Sequence, residues 1–139
     1  MKIEIPETVE EIGEGAFARC ISLESIVLPS AIRSVGKEAF KACDRLTALR
    51  IPGTVEEIAL GLAQGCATLK TVRIEPGVQK IAGRAFKDCP NLKTVEIPSS
   101  VTKIAAKVFE GCPKVVIACE KGSAAEKYAQ KNNLQLTCL

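Results

Sequence analysis

The sequence predicts an α/β repeat, a solenoid of about five stacked coils with a parallel sheet on one face, short helices on the other and a capping helix at the C-terminus. Three observations predict it. One pattern of residue types returns every 23 residues along a chain of 139, and a fixed period of roughly 20 to 50 residues marks a repeat array. The aliphatic positions keep this register: Ile5, Leu28, Ile51, Ile74 and Ile97; Val9, Ile32, Val55, Val78 and Val101; Ile12, Val35, Ile58, Ile81 and Ile104. Cys20, Cys43, Cys66, Cys89 and Cys112 keep it too, each followed three residues later by Leu or Val. The chain reads as one domain, 1–139, with repeats near 5–27, 28–50, 51–73, 74–96 and 97–117 and a cap over 118–139.

Each coil opens with a strand in which Leu23, Ile26 and Leu28, or their equivalents, point inward while Glu24, Ser25 and Val27 face out. Six such strands are expected, near 2–5, 25–28, 48–51, 71–74, 94–97 and 115–119. Pro6, Pro29, Pro52 and Pro98 stop the strand where a missing N–H costs least, and in the fourth coil the proline slips one place to Pro76. A second short extended piece follows, Val9 to Ile12 and its equivalents. A small residue then comes every time: Gly13, Gly36, Ala59, Ala82 and Ala105. It is expected to admit about two helical turns, whose apolar pair (Ala16-Phe17, Ala39-Phe40, Ala85-Phe86, Val108-Phe109) packs inward. Gly15 reads as a chance neighbour of Gly13.

Stacking coils about 4.8 Å apart places like above like and builds ladders of Leu/Ile, Phe and Cys. The third coil reads Leu62-Ala63 where its neighbours read Ala-Phe. Either Leu62 fills the space of the absent ring or a small pocket opens at Ala63.

The ends differ. Ser123-Ala124-Ala125-Glu126 is a capping box that starts a helix running through Tyr128 and Ala129 to Asn132-Asn133, and Leu134 and Leu136 supply a closing strand. At the N-terminus Ile3 and Ile5 open directly onto a strand, which predicts association through residues 1 to 20, because an open sheet edge templates pairing. Residues 1–69 carry 7 Lys/Arg against 10 Asp/Glu and residues 70–139 carry 12 against 6, so the molecule has an acidic and a basic end.

The unit I-P-x-x-V-x-x-I-G-x-x-A-F-x-x-C-x-x-L-x-x-I, present as IPETVEEIGEGAFARCISLESI and IPSSVTKIAAKVFEGCPKV, resembles the BspA-like leucine-rich repeats of bacterial and protozoan surface proteins. KGSAAEKYAQKNN resembles the segment that closes many arrays of that group. The resemblance implies a leucine-rich-repeat solenoid and a cell-surface or secreted adhesion or binding protein, engaging host or neighbouring-cell proteins. Met1 to Pro6 lacks the apolar stretch of a secretion signal, which leaves a cytoplasmic location open, and no apolar run approaches a membrane span.

Little points to chemistry. There is no His among the 139 residues, which removes Cys-His nucleophile pairs and Cys/His zinc sites, and no C-x-x-C occurs. The five ladder cysteines read as small buried hydrophobes with weak S–H donors. Cys119 and Cys138 are expected side by side on neighbouring strands, where a disulfide is one outcome and free thiols the other. The pairs Glu10-Glu11 and Glu56-Glu57 diverge along an extended piece, so they suit solvent better than acid/base work. A net charge of +3 with no Trp and one Tyr offers nucleic acid little to bind. No catalytic residue, cofactor or metal site is assigned.

The outward strand positions form the exposed sheet face: Glu4, Val27, Arg50, Arg73 and Glu96 along the middle, with Lys70 and Lys93 beside them. Arg50 and Arg73 should be neighbours and, with the two lysines, make a basic patch for an acidic partner segment; the alternative is a solvated face on which Glu96 neutralises Arg73. The chain therefore reads as a non-enzymatic protein-binding module using this face, with a self-assembly unit joined through its N-terminal coil, for example as a homodimer, as the second reading.

Overall fold

The computed structural model describes residues 1–139, which wind into a solenoid. The first face carries β1 (Lys2–Glu4), β3 (Ser25–Val27), β5 (Ala48–Ile51), β7 (Thr71–Ile74), β9 (Thr94–Glu96) and β11 (Val116–Cys119). These are the six expected strands, and Gln135–Cys138 adds a closing one, β12, parallel to β11. Inward and outward residues alternate as the pleat requires: in β5, Leu49 and Ile51 are buried while Ala48 and Arg50 are exposed. The second extended pieces pair as well, giving β2 (Glu11–Ile12), β4 (Ser34–Val35), β6 (Glu57–Ile58), β8 (Lys80–Ile81) and β10 (Lys103–Ile104).

Between coils two and three both ladders are interrupted. The first face divides into β1-β3 and β5-β7-β9-β11-β12, and the second into β2-β4 and β6-β8-β10. The two blocks stay joined on the third side, where Glu38, Phe40 and Ala42 donate to the carbonyls of Leu60, Leu62 and Gln64 at 3.0, 2.8 and 2.8 Å.

That third side is not helical, contrary to expectation. Helices about 10 Å across opposite strands about 4.8 Å apart would force the coils to fan into an arc, and this backbone uses consecutive turns instead. In each coil two residues four apart take the left-handed region: Gly15 and Arg19, Glu38 and Ala42, Gly61 and Gly65, Arg84 and Asp88, Lys107 and Gly111, with φ from 55° to 79°. Each such residue breaks the succession that an α-helix needs. Gly15 is thus a required turn position and not a chance neighbour of Gly13. Alternate N–H groups bond three residues back within the turn, as Ala16 does to Gly13, while those between reach the next coil: Gly15 to Lys37 at 2.9 Å, Phe17 to Ala39 at 2.8 Å and Arg19 to Lys41 at 2.7 Å.

The core is one continuous set of ladders, with Phe40, Phe86, Leu23, Leu46, Leu69 and Leu92 among its largest fully buried members. Phe17 stacks on Phe40 at 5.7 Å between ring centroids and Phe86 on Phe109 at 5.9 Å. Coil three separates these two stacks, since Ala63 occupies the aromatic place; Leu62 and Ala63 are both buried. Each inner cysteine thiol donates to a carbonyl of the preceding coil: Cys43 to Phe17 and Cys66 to Phe40 at 3.1 Å, Cys89 to Ala63 at 3.3 Å, and Cys112 to Phe86 at 3.0 Å. For the Ala63 and Phe86 carbonyls the thiol is the one partner, while the Phe17 and Phe40 carbonyls also accept from the backbone N–H groups of Cys20 and Cys43 at 3.1 and 3.3 Å.

The cap is helix α1, Ala124–Lys131. The Ser123 hydroxyl accepts from the Glu126 N–H at 3.2 Å, and the Glu126 carboxylate accepts from the Gly122 N–H at 3.0 Å, one residue earlier than in the standard box. Asn133 in the left-handed region ends the helix as the Leu134 N–H returns to the Ala129 carbonyl at 2.8 Å. Ala125 and Ala129 face the core, and Tyr128 meets Phe109 edge-on at 6.3 Å.

Candidate functional site: the outer face of the first sheet

Parallel pairing in register turns a sequence column into a spatial row. Glu4 lies beside Val27, and Arg50, Arg73, Glu96 and Ala118 follow one another across β5, β7, β9 and β11. The ladder interruption separates the first two from the rest. Around Glu4 and Val27 the face is a depression of about 330 Å³ lined also by Ile5, Pro6 and Glu7.

Arg50 and Arg73 are indeed adjacent, yet neither guanidinium is free. Arg73 Nε lies 3.3 Å from Glu96 Oε2. Arg50 donates through a terminal nitrogen to Glu75 Oε2 at 3.0 Å. Glu75 was missed in the sequence reading, although the slipped proline of coil four signals it. With Pro76 one place late, an acidic side chain takes the position that proline holds in other coils, and its N–H bonds the Ile51 carbonyl at 3.0 Å. Elsewhere Glu24 faces both Arg45, at 3.6 Å, and the N-terminal amine, at 3.5 Å.

Lys70 and Lys93 remain. Both are exposed, neither has a carboxylate within ion-pair distance, and the Lys93 N–H donates to the Lys70 carbonyl at 2.8 Å, which sets them side by side immediately before the neighbouring strands β9 and β7. The basic patch is thus narrower than its four cations suggest, a lysine column flanked by two neutralised arginines.

The thiols have surroundings of a different kind. Burial pushes Cys43 from its ordinary 9.0 up to about 11 and Cys66 to about 12, and it raises Cys119 as well. A thiol held protonated is a poor nucleophile and metal ligand. Cys119 and Cys138 pair in register on β11 and β12; both are free, Cys119 buried and Cys138 exposed. No three Cys, Asp or Glu side chains converge in a group that could hold a metal ion.

Residues 1–116 match the BspA type leucine rich repeat region, in six copies. The chain belongs to the BspA-type leucine-rich-repeat family. The matched residues take in β1 to β10 and end at Val116, where β11 begins; the six copies are one more than the five complete coils counted in the sequence. The BspA-type fold is shared with solved bacterial structures. A leucine rich cell surface protein from Faecalibacterium prausnitzii is 32% identical with a TM-score of 0.84, over 92% of this chain and 34% of that one. A leucine rich repeat protein from T. pallidum is 27% identical with a TM-score of 0.75, over 96% of this chain and 59% of that one. The chain thus spans about a third and about three-fifths of their lengths. Among curated proteins none matches it. No helix of this BspA-type chain is long and apolar enough to cross a membrane.

Proposed function

We propose that this chain is a non-enzymatic protein-binding module of a cell-surface or secreted protein, and that it holds an acidic segment of its partner against the first sheet. The observation that carries this reading is the column Lys70–Lys93, two exposed and unpaired cations at the entries to the neighbouring parallel strands β7 and β9. A sheet face fixes side-chain spacing, so a bound segment loses the entropy of only one partner. Arg50 and Arg73 contribute by exchange, their carboxylates Glu75 and Glu96 giving way to those of the partner. Membership of the BspA-type family and likeness to a cell surface protein support the location.

The test is a glutamate-rich peptide titrated against the chain at low and moderate salt, read by fluorescence polarisation. Lys70→Glu with Lys93→Glu should abolish binding while leaving the unfolding temperature unchanged. Equal binding by that double variant, or by Arg50→Glu with Arg73→Glu, overturns the assignment of the face.

A further inference from the structure

Three kinds of backbone hydrogen bond tie each coil to the one before it along the two sheets, and at one boundary all three are absent. Between coils one and two, Glu24 donates to Met1, Arg33 to Glu10 and Gly36 to Ile12, each at 2.8 Å. Between coils three and four the equivalent donors Lys70, Gln79 and Ala82 reach Thr47, Glu56 and Ile58 at 2.8, 2.8 and 2.9 Å, and Lys93, Thr102 and Ala105 repeat the set between coils four and five. Between coils two and three the donors are Thr47, Glu56 and Ala59. None of them bonds to the facing carbonyls of Glu24, Arg33 and Val35, which are unpaired too. The strand ladders stop at the same place, so an unbonded slit separates residues 24–35 from residues 47–59.

What crosses the slit is not directional. Leu28, Ile32 and Val35 on one side and Ile51, Val55 and Ile58 on the other are buried in one cluster, and apolar packing attracts without fixing an angle. On the second face the slit meets a cleft of about 470 Å³, where Arg33 lies 3.5 Å from Glu10 and Glu56 has no ion-pair partner. The one ion pair that spans the slit, Arg45 with Glu24 at 3.6 Å, is exposed and screened by solvent. Backbone bonds join the two coils on the third side alone, through the Glu38, Phe40 and Ala42 donors.

We propose that the solenoid bends at this slit, coils one and two swinging as a unit on the third-side turns against coils three to five. In a repeat array each coil is held by its neighbours alone, so the boundary with fewest bonds is where cooperative motion divides. Thr47 and Glu56 are exposed and Ala59 is half-buried, so water reaches the unpaired backbone groups, and widening the slit breaks no backbone bond along the two sheets. The slit crosses the first face between Val27 and Arg50. Bending therefore changes the angle between the Glu4–Val27 depression and the Lys70–Lys93 column, and a partner that touches both selects one angle from a range.

The test is NMR on the isotopically labelled native chain. Thr47, Glu56 and Ala59 match Lys70, Gln79 and Ala82 in position and exposure, so their amides should be protected from solvent exchange about tenfold less, or weaker still, than those counterparts. Residual dipolar couplings, fitted separately to coils one and two and to coils three to five, should give an alignment tensor of smaller magnitude for the first block, because its swing averages the couplings. Tensors of equal magnitude overturn the proposal, as does protection at Thr47, Glu56 and Ala59 equal to that of their counterparts.

Discussion

Arg50 and Glu75 lie on consecutive coils with guanidinium and carboxylate 3.0 Å apart, a pair that exists because the proline of coil four stands one residue late. A position that elsewhere ends a strand with a ring has become a counter-ion for the sheet face.

Glu75→Gln removes that charge. With Arg50 half-exposed, the expected loss of stability is at most about 1 kcal/mol, and the freed guanidinium should tighten binding of an acidic peptide. Denaturant unfolding and peptide titration on the same variant separate the two effects.

Leu62 and Ala63 exchange the large and small members of the turn pair. Leu62→Ala should cost about 2–5 kcal/mol, and Ala63→Phe about 1–3 kcal/mol from overpacking. The double variant restores the Ala-Phe order of the neighbouring coils and should cost less than the sum. A double-mutant cycle by guanidinium unfolding measures the coupling.

Gly65 holds φ at 76° with open space where a Cβ would stand, so Gly65→Ala reads the left-handed backbone cost alone. The expected loss is about 1 kcal/mol, more for Val. At Ala42, where φ is 55°, Ala42→Gly should gain stability or leave it level.

Cys43 and Cys66 make stability fall in alkali. Their folded values are raised above 9.0, to about 11 for Cys43 and about 12 for Cys66. Folding therefore keeps their full contribution below about pH 9 and loses it as pH rises through 11 and 12, at about 1.4 kcal/mol per pH unit for each thiol. Cys66→Ala should flatten the slope of unfolding free energy against pH by one thiol's share.

Alkylation without denaturant should separate the 7 cysteines by exposure. Cys138 is exposed and Cys20 half-buried, while Cys43, Cys66, Cys89, Cys112 and Cys119 are buried. Intact mass spectrometry should show two fast additions and five that wait for unfolding.

Much of this was legible in the chain because the repeat is nearly exact. Aligned Leu, Ile, Phe and Cys positions must stack, and in-phase stacking leaves the strand register no freedom, so Arg50 beside Arg73 followed from counting, whereas Cys119 beside Cys138, which lies outside the period, came from matching the alternation of the closing strand to that of the strand before it. What escaped was the backbone path of the third side. The apolar pair Ala-Phe suits a helix as well as a turn; what excludes the helix is the pair of left-handed positions in each coil, from Gly15 to Gly111, and those of coils two and four hold no glycine and so carry no sequence signal.

The site divides the same way. By itself the sequence determined the solenoid, the sheet, the identity of its outward residues and the helical cap, since each rests on periodicity or on a local capping pattern. Tertiary structure alone decided which cations are spent on Glu75 and Glu96 and where the ladders break between coils two and three. The reason is physical. Ion pairs and hydrogen bonds depend on distances of a few tenths of an ångström between residues on different coils, and a one-dimensional pattern specifies neighbours but not gaps.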